Sequence, residues 1–570
     1  MAVSADVKSR ILIVILLLLI CLVSLLRGFN SSNTSATFDE PIHIAIGMEW
    51  LDRGTYNFEY LHPPLARVAV ALPLYLSGHR LSKEAYQAKC PQFAEYLKRY
   101  HSTEDKVQKG MALQLLLTEC LHKADRSLIY RDVSGALSLG AYQENMKLAR
   151  LGILPFLIAA ILGTFAVGSI LYSRTIGVIS AAVFSLIPSV IAHGSLATTD
   201  MAFVATFIWS IFFTIRALAQ PSTKNAILLG VALGLCVGSK FSALLFLPVT
   251  MLLLCLVYST KLSKNHLKVL PYVVISGFLI LWVLYRFSIG ATADSFYFSL
   301  NGGEEPHPLL QLDILPMPEF WNGIQQLAMK AAKGHGGYLF GATDQDKGLW
   351  YFFPVALFFK TPIFVLLTLA IGGFYCLREY AQKRNRQALL PVALIVIILF
   401  CASLSSINIG TRHVLIVYPF IAIISAIATM HLYEKRKVLG LILLIGVGLD
   451  SAMAHPGYLS YFNPLAGDNP QEILVDSDLD WGQDALNLAR EVKLRKITRI
   501  TVCGVNAFPI GQVENWPVEV TYDCPQKQPE GFFAVGYTTL LFSKAEDLQW
   551  LNGIKPAFKV GDSLVVYNLD

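Results

Sequence analysis

Apolar residues along this chain gather into blocks of roughly 20 with short basic connections between them, the pattern of a polypeptide that crosses a bilayer repeatedly. Eleven helical spans are predicted, at 11–27, 150–172, 177–193, 201–217, 225–239, 241–258, 269–288, 355–376, 388–406, 413–431 and 438–454. The first lacks a small-x-small cleavage site and reads as an uncleaved anchor. Only Ser239-Lys240 separates 225–239 from 241–258, so that pair is the least distinct. The run Leu65 to Leu76 is apolar but too short to span and is predicted to lie along the interface.

Beyond 454 the pattern changes to short β-rich runs, Ile497 to Cys503, Val518 to Tyr522, Phe532 to Val535 and Ser563 to Tyr567, with a polar helix around Asp484 to Val492. The expected architecture is a polytopic helical domain over 1–454 followed by a small α/β domain over 455–570. Long connections fall at 28–149 and 289–354. No internal repeat of the kind that marks many transporter folds is visible.

Composition agrees: 54% of the 570 residues are apolar and 15% charged, which excludes an ordinary soluble or disordered chain. The net charge of +6 reports orientation rather than nucleic-acid binding, since no nucleic-acid motif is present and the cations are asymmetrically placed. With the N-terminus cytosolic, the inner segments carry fifteen: Lys8, Arg10, Arg174, Arg216, Lys224, Lys261, Lys264, Lys268, Arg378, Lys383, Arg384, Arg386, Lys435, Arg436 and Lys437. The short outer connections hold only Lys240 and Arg412. An odd number of spans then puts the two long loops and the C-terminal domain outside. Cys90 and Cys120 share the first outer loop and Cys503 and Cys524 share the tail, two pairings open to oxidation in such a compartment.

Against this topology the informative groups are ionisable side chains at the outer ends of spans. Lys240, Arg286, Lys360 and Arg412 are cations where orientation should have removed them. Snorkelling explains any one of them, whereas four on one face point to a shared anionic ligand, and a lipid phosphate fits. Asp39-Glu40 and Asp200 are the matching carboxylates. Asp39 and Asp200 each stand where a helix N-cap would, or where a general base toward a hydroxyl would. His62-Pro63-Pro64-Leu65 adds an imidazole on a rigid turn. Asp39, Glu40 and Asp200 also offer oxygens to a divalent cation, but the first loop has no Asp-x-Asp pair, and Asp476-Ser477-Asp478-Leu479-Asp480 lacks the rest of an EF-hand loop; no cofactor is expected.

Taken in order, Asp39-Glu40, His-Pro-Pro-Leu at 62–65, Ala149-Arg150, Ala-Thr-Thr-Asp at 197–200, Gly238-Ser239-Lys240, the run His335 to Gly341, Trp350 to Pro354 with Lys360-Thr361-Pro362, and Gly410-Thr411-Arg412-His413 resemble the GT-C superfold glycosyltransferases. The branch is that of the protein O-mannosyltransferases and the lipid A aminoarabinose transferase, and Asp476 to Gln483 resembles a tail motif of the phospholipid-carrier-dependent bacterial members. The resemblance implies a catalytic helical domain with interfacial helices in its first outer loop, a polyprenyl-phosphate sugar as donor, and a hydroxyl of protein Ser/Thr, glycan or lipid as acceptor. By carry-over Asp39 takes the acceptor proton in an inverting displacement that need not involve a metal, Glu40 and Asp200 position acceptor or sugar, and Lys240, Lys360, Arg412 and His413 receive the departing phosphate. Arg286 has no counterpart role. His62 departs from the family, which commonly has Lys there, so a permanent charge gives way to a titrating one. The expected location is a bacterial plasma (inner) membrane, or the endoplasmic reticulum in a eukaryote. The same outer cations would also serve a transporter or flippase of a phosphate-bearing lipid, and an outer domain would serve a non-enzymatic assembly protein.

Overall fold

The computed structural model describes residues 5–31, 34–56, 59–81, 142–258, 263–290, 314–344, 348–504, 519–522, 524–525, 527–542 and 548–570. Cys90 and Cys120 lie outside the described residues. Among the described residues, seven helices are long and apolar enough to cross a membrane: Ser9–Asn30, Tyr142–Leu171, Asp200–Ala219, Lys264–Leu284, Ile363–Lys383, Arg386–Ser403 and Thr411–Lys435. The other four predicted spans correspond to shorter helices, Arg174–Leu186, Thr223–Val237, Ala243–Val257 and Lys437–Met453.

Proline divides two of the expected spans. The run 177–193 is divided at Pro188, which opens the separate short helix Pro188–His193. The run 355–376 is two helices, Phe352–Lys360 and Ile363–Lys383, because Pro362 lacks an amide hydrogen and forces Thr361 out of the helical region to ψ 133°. Lys360 therefore ends one helix instead of sitting within another.

Of the seven long helices, Asp200–Ala219 and Thr411–Lys435 are the most buried, and Lys264–Leu284 lies at the periphery with an exposed apolar surface. Thr223–Val237 packs against that peripheral helix through small residues: a Cβ at Gly230 would stand 2.0 Å from Ser276 Oγ. Near the site, Glu40–Met48 continues into a π-helical turn, Glu49–Arg53, and packs on the apolar helix Pro64–Leu76. A Cβ at Gly47 would stand 2.0 Å from the Arg67 carbonyl oxygen, so only glycine permits this approach.

Four two- or three-residue strands form two antiparallel pairs, β1 (Ile289–Gly290) with β2 (Leu315–Pro316) and β3 (Gly337–Leu339) with β4 (Ala342–Asp344). The tail forms a five-stranded mixed sheet in the order β6-β5-β7-β9-β8 from β5 (Arg499–Cys503), β6 (Glu519–Tyr522), β7 (Phe532–Gly536), β8 (Phe558–Val560) and β9 (Leu564–Asn568). Pairing is parallel between β5 and both β6 and β7, and antiparallel between β9 and its neighbours. Alternation buries both faces: Ile500, Val502 and Ala534 lie under the helix Ala485–Leu494, while Phe533, Val535 and Val565 pack with Leu548 and Leu551. The predicted runs supply β5, β6, β7 and β9; β8 is too short for its alternation to register. Cys503 and Cys524 form a disulfide.

Residues 455–484 lead from the last apolar helix to this sheet and are drawn back against the helical part. Asn463 donates to the carbonyl oxygens of Phe358 and Thr361 at 2.6 and 2.9 Å, and Ser477 donates to that of Ile409 at 3.1 Å. Asp480 is buried and accepts from the Thr538 amide at 2.9 Å. Burial pushes its carboxyl up to about 7, and Asp476 and Asp484 add to that against the Thr538 hydrogen bonds. Between the ordinary carboxylate value near 4 and this value the folded protein holds more protons than the unfolded chain, so stability falls as pH rises through that window. Asp480→Asn, which keeps an acceptor for Thr538, is expected to raise Tm at pH 8 relative to the parent, with a smaller gain at pH 5. Thermal unfolding in detergent at the two pH values checks it.

Candidate active site

The separated motifs meet around Glu40. This residue is fully buried at the start of its helix, and Arg150 grips both carboxylate oxygens at 2.7 and 2.6 Å. The Thr37 amide and hydroxyl and the Ala197 amide complete its shell at 2.7, 3.1 and 2.7 Å. Arg150 also donates to the carbonyl oxygens of Thr34 and Ser35 at 3.1 and 2.8 Å. One buried ion pair thus ties the first long loop to the Ala149-Arg150 helix and to the Ala-Thr-Thr-Asp turn. A second tie joins the Pro-Pro-Leu turn to Gly238-Ser239-Lys240, where the Leu65 amide donates to the Gly238 carbonyl oxygen at 3.0 Å.

With Glu40 turned inward, its neighbour Asp39 faces the opposite way. Asp39 holds the N-cap position but makes no side-chain cap; its Oδ2 accepts from Arg412 Nη1 at 2.5 Å. Asp200 is the first residue of its helix, with Thr199 at the N-cap position, and it accepts from Lys240 Nζ at 2.6 Å and from Thr198 Oγ1 at 3.1 Å. The capping alternative is therefore excluded for both. The two ion pairs share a field: Asp39 and Asp200 act on each other, and Arg412 acts on both. Burial works to push the Asp39 carboxyl up, but the Arg412 charge and hydrogen bond outweigh it and hold Asp39 below the usual carboxylate range.

Histidines surround these pairs. His43, one turn beyond Asp39, accepts from Arg67 Nε at 3.2 Å through Nδ1 and meets the His62 ring edge-on at 5.2 Å. Burial and the Arg67 charge push His43 down to about 3, against the pull of Asp39 and Asp200. Burial and then Arg67, His43, Lys240 and Lys330 hold His62 well below its usual value. His62 is accordingly neutral at pH 7 and does not restore the positive charge of the lysine it replaces. His62 Nδ1, His413 Nε2, His193 Nδ1 and Arg412 Nε are buried without a hydrogen-bond partner among the described residues, with His193 Nδ1 3.9 Å from Asp200. Such orphaned polar atoms are costly unless a ligand or water reaches them.

The four expected cations separate into two groups. Arg412 and Lys240 belong to the centre. Lys360 is 2% exposed, and its ammonium donates to the backbone oxygens of Leu459 and Asp478 at 2.7 and 2.6 Å while lying over the Phe462 ring. Arg286 stacks on Trp50 and donates to its carbonyl oxygen at 3.1 Å, away from both ion pairs. Five residues join to which the motifs had assigned no role. His43 carried a signal in its four-residue spacing from Asp39. Arg67 carried one as a charge in an otherwise apolar helix, where it binds Glu59, the Tyr56 hydroxyl at 3.0 Å and the His62 carbonyl oxygen at 3.1 Å. His193 ends a predicted span; Lys330, exposed on the helix Pro318–Lys333, acts electrostatically on His62 and His413; Trp481 comes from the tail. Among the described residues no group of three or more His, Cys, Asp or Glu is placed to hold a metal ion.

This is a helical membrane protein whose motifs, in their order, resemble the GT-C glycosyltransferases of the protein O-mannosyltransferase and lipid A aminoarabinose transferase branch. Residues 141–285, a quarter of the chain, match the model of the family described as dolichyl-phosphate-mannose-protein mannosyltransferase, and they contain Arg150, Asp200 and Lys240. No curated protein sequence matches the chain. Among solved structures it is similar to ArnT from Cupriavidus metallidurans in the apo state, with 13% identity, coverage of 99% of this chain and 98% of that one, and a TM-score of 0.47. For the same protein bound to undecaprenyl phosphate the figures are 12%, 96%, 97% and 0.44. Archaeal oligosaccharyltransferase AglB from Archaeoglobus fulgidus, in complex with an inhibitory peptide and a dolichol-phosphate, gives 10%, 93%, 70% and 0.42. TM-scores below 0.5 make these likenesses of outline, and no residue role is taken from them.

Proposed function

We propose that the protein is a membrane glycosyltransferase that moves a sugar from a polyprenyl-phosphate donor to a hydroxyl acceptor at the outer membrane face, inverting the anomeric centre. The observation that carries this reading is the Asp39–Arg412 pair standing beside the Asp200–Lys240 pair, an ionised carboxylate held against a phosphate-binding fork. Asp39, ionised at neutral pH, takes the proton of the acceptor hydroxyl as its oxygen attacks the anomeric carbon from the face opposite the phosphate. The bond from that carbon to the phosphate oxygen breaks, and its electron pair leaves with the polyprenyl phosphate, which gains one negative charge. Arg412 and Lys240 stabilise that charge more strongly as it develops, which is where catalysis is gained.

Both cations are paired with this chain's own carboxylates, so an incoming phosphate competes with Asp39 for Arg412 and with Asp200 for Lys240. Donor binding then releases Asp39 toward the acceptor. Neutral His62 and the buried Nε2 of His413 supply hydrogen bonds to sugar or phosphate, and the exposed Lys330 adds the cation that His62 lacks. Glu40 acts through its tie to Arg150, holding Asp39 outward, and Lys360 acts by fastening the tail, so neither touches substrate. The positive-inside pattern supports a cytosolic N-terminus with this centre on the opposite face.

Donor affinity tests the division of cations. Arg412→Ala is expected to weaken binding of a polyprenyl monophosphate by about 10- to 100-fold, the loss of one charge-assisted hydrogen-bonded contact. Lys360→Met is expected to lower Tm with donor affinity unchanged in the folded fraction. Unchanged affinity in Arg412→Ala would remove the phosphate assignment.

A further inference from the structure

Trp481 sits in the tail motif, outside the helical part of the chain, yet it touches Arg412 and the residue that precedes Asp39. Its ring lies 4.3 Å from the Arg412 guanidinium carbon, and its carbonyl oxygen accepts from the amide of Phe38, the residue before Asp39, at 2.9 Å. The same ring stands 6.0 Å from His193, beside Asp200. Trp481 is 5% exposed and its own position is fixed from several sides. Its amide donates to Gln483 Oε1 at 2.8 Å, and Gln483 in turn donates to the Leu479 carbonyl oxygen at 2.7 Å. The Gln483 carbonyl oxygen accepts from the Ser35 amide at 3.0 Å, and Ser35 Oγ accepts from the Leu486 amide at 2.6 Å. At the sheet end, Thr538 holds Asp480 through its carboxylate and carbonyl oxygen at 2.9 and 3.1 Å.

Resting on the reading that Arg412 receives the donor phosphate, we infer that Trp481 is a positioning residue: its ring orients the Arg412 guanidinium and its backbone fixes the loop that carries Asp39, so the tail sheet sets the spacing between base and phosphate ligand. The ring face is the electron-rich partner a planar guanidinium prefers, and stacking leaves the in-plane N–H groups free for the phosphate. With this stack in place Arg412 keeps one orientation whether it faces Asp39 or the donor. Without it the guanidinium has several rotamers and binds either partner less tightly.

The test compares Trp481→Leu and Trp481→Phe in the full-length purified protein, each with Arg412 present and in an Arg412→Ala background, using undecaprenyl monophosphate in detergent as the probe. Trp481→Leu is expected to weaken binding by about five-fold, and Trp481→Phe, which keeps an aromatic face, to recover most of that loss. In the Arg412→Ala background Trp481→Leu has no further effect, because the two side chains act as one unit. The acid limb of the kcat/KM profile moves to higher pH in Trp481→Leu, since Asp39 loses part of its partner. Wild-type affinity in Trp481→Leu, or an equal loss with and without Arg412, overturns the positioning role. Absence of probe binding by the parent protein overturns the phosphate reading itself and this inference with it, so the two failures are distinguishable.

Discussion

Asp39→Asn is expected to reduce sugar transfer by roughly 10²- to 10⁴-fold, the range a positioned general base contributes, while leaving the fold intact. Asp39 lies at the surface of the centre, its side chain 22% exposed, and an amide of the same shape keeps a hydrogen-bond acceptor toward Arg412. The amide cannot accept the acceptor proton, so the chemical step fails. Donor binding moves the other way: with the carboxylate removed, Arg412 no longer has a charged internal partner, and polyprenyl monophosphate binds as tightly as in the parent or more so. A pure loss of kcat without weaker donor binding separates a missing base from a damaged site. Initial rates and equilibrium binding on the same preparation measure both.

The second large effect is structural. Arg150→Met is expected to destabilise the protein by about 3–5 kcal/mol, because it leaves the Glu40 carboxylate fully buried without its cation. The three remaining donors to Glu40, two from Thr37 and one from Ala197, are uncharged. Glu40→Gln is expected to destabilise comparably, stranding Arg150 instead. The double variant Glu40→Gln/Arg150→Met is expected to lose less than the sum, since each single change strands a charge that the pair of changes removes together. Tm in detergent across this cycle checks the sign of the coupling. Additive losses would show that the two residues act independently and that the convergence of motifs on Glu40 is not what holds the first loop.

Much of this centre was legible in the sequence. Hydropathy blocks located the helices, lysine and arginine counts gave the expected orientation, and the cations left over at the outer ends pointed to Arg412 and Lys240. Motif order singled out Asp39 and Asp200, which the structure brings together with those cations. What the sequence did not resolve is which way neighbouring carboxylates face: Asp39 and Glu40 are adjacent and chemically alike, but the helix starts at Glu40, turning one into the core and the other into the site. Lys240 and Lys360 looked equivalent for the same reason. Their difference lies in the tail, whose Leu459 and Asp478 carbonyl oxygens occupy Lys360 alone. Trp481 was hidden because its partners Phe38, His193 and Arg412 are remote in sequence, and no local periodicity reports such contacts. The proline breaks at Pro188 and Pro362 were visible as residues but lay inside apolar runs that read as continuous.

The central claim is that the paired carboxylates and cations carry out transfer from a lipid-linked sugar. Purified protein given a polyprenyl-phosphate sugar and a hydroxyl acceptor is predicted to release free polyprenyl phosphate in step with glycosylated acceptor, and Asp39→Asn, correctly folded, is predicted to release essentially none. Release that is unaltered in Asp39→Asn, or bound donor that is never cleaved by the parent protein, would contradict the account.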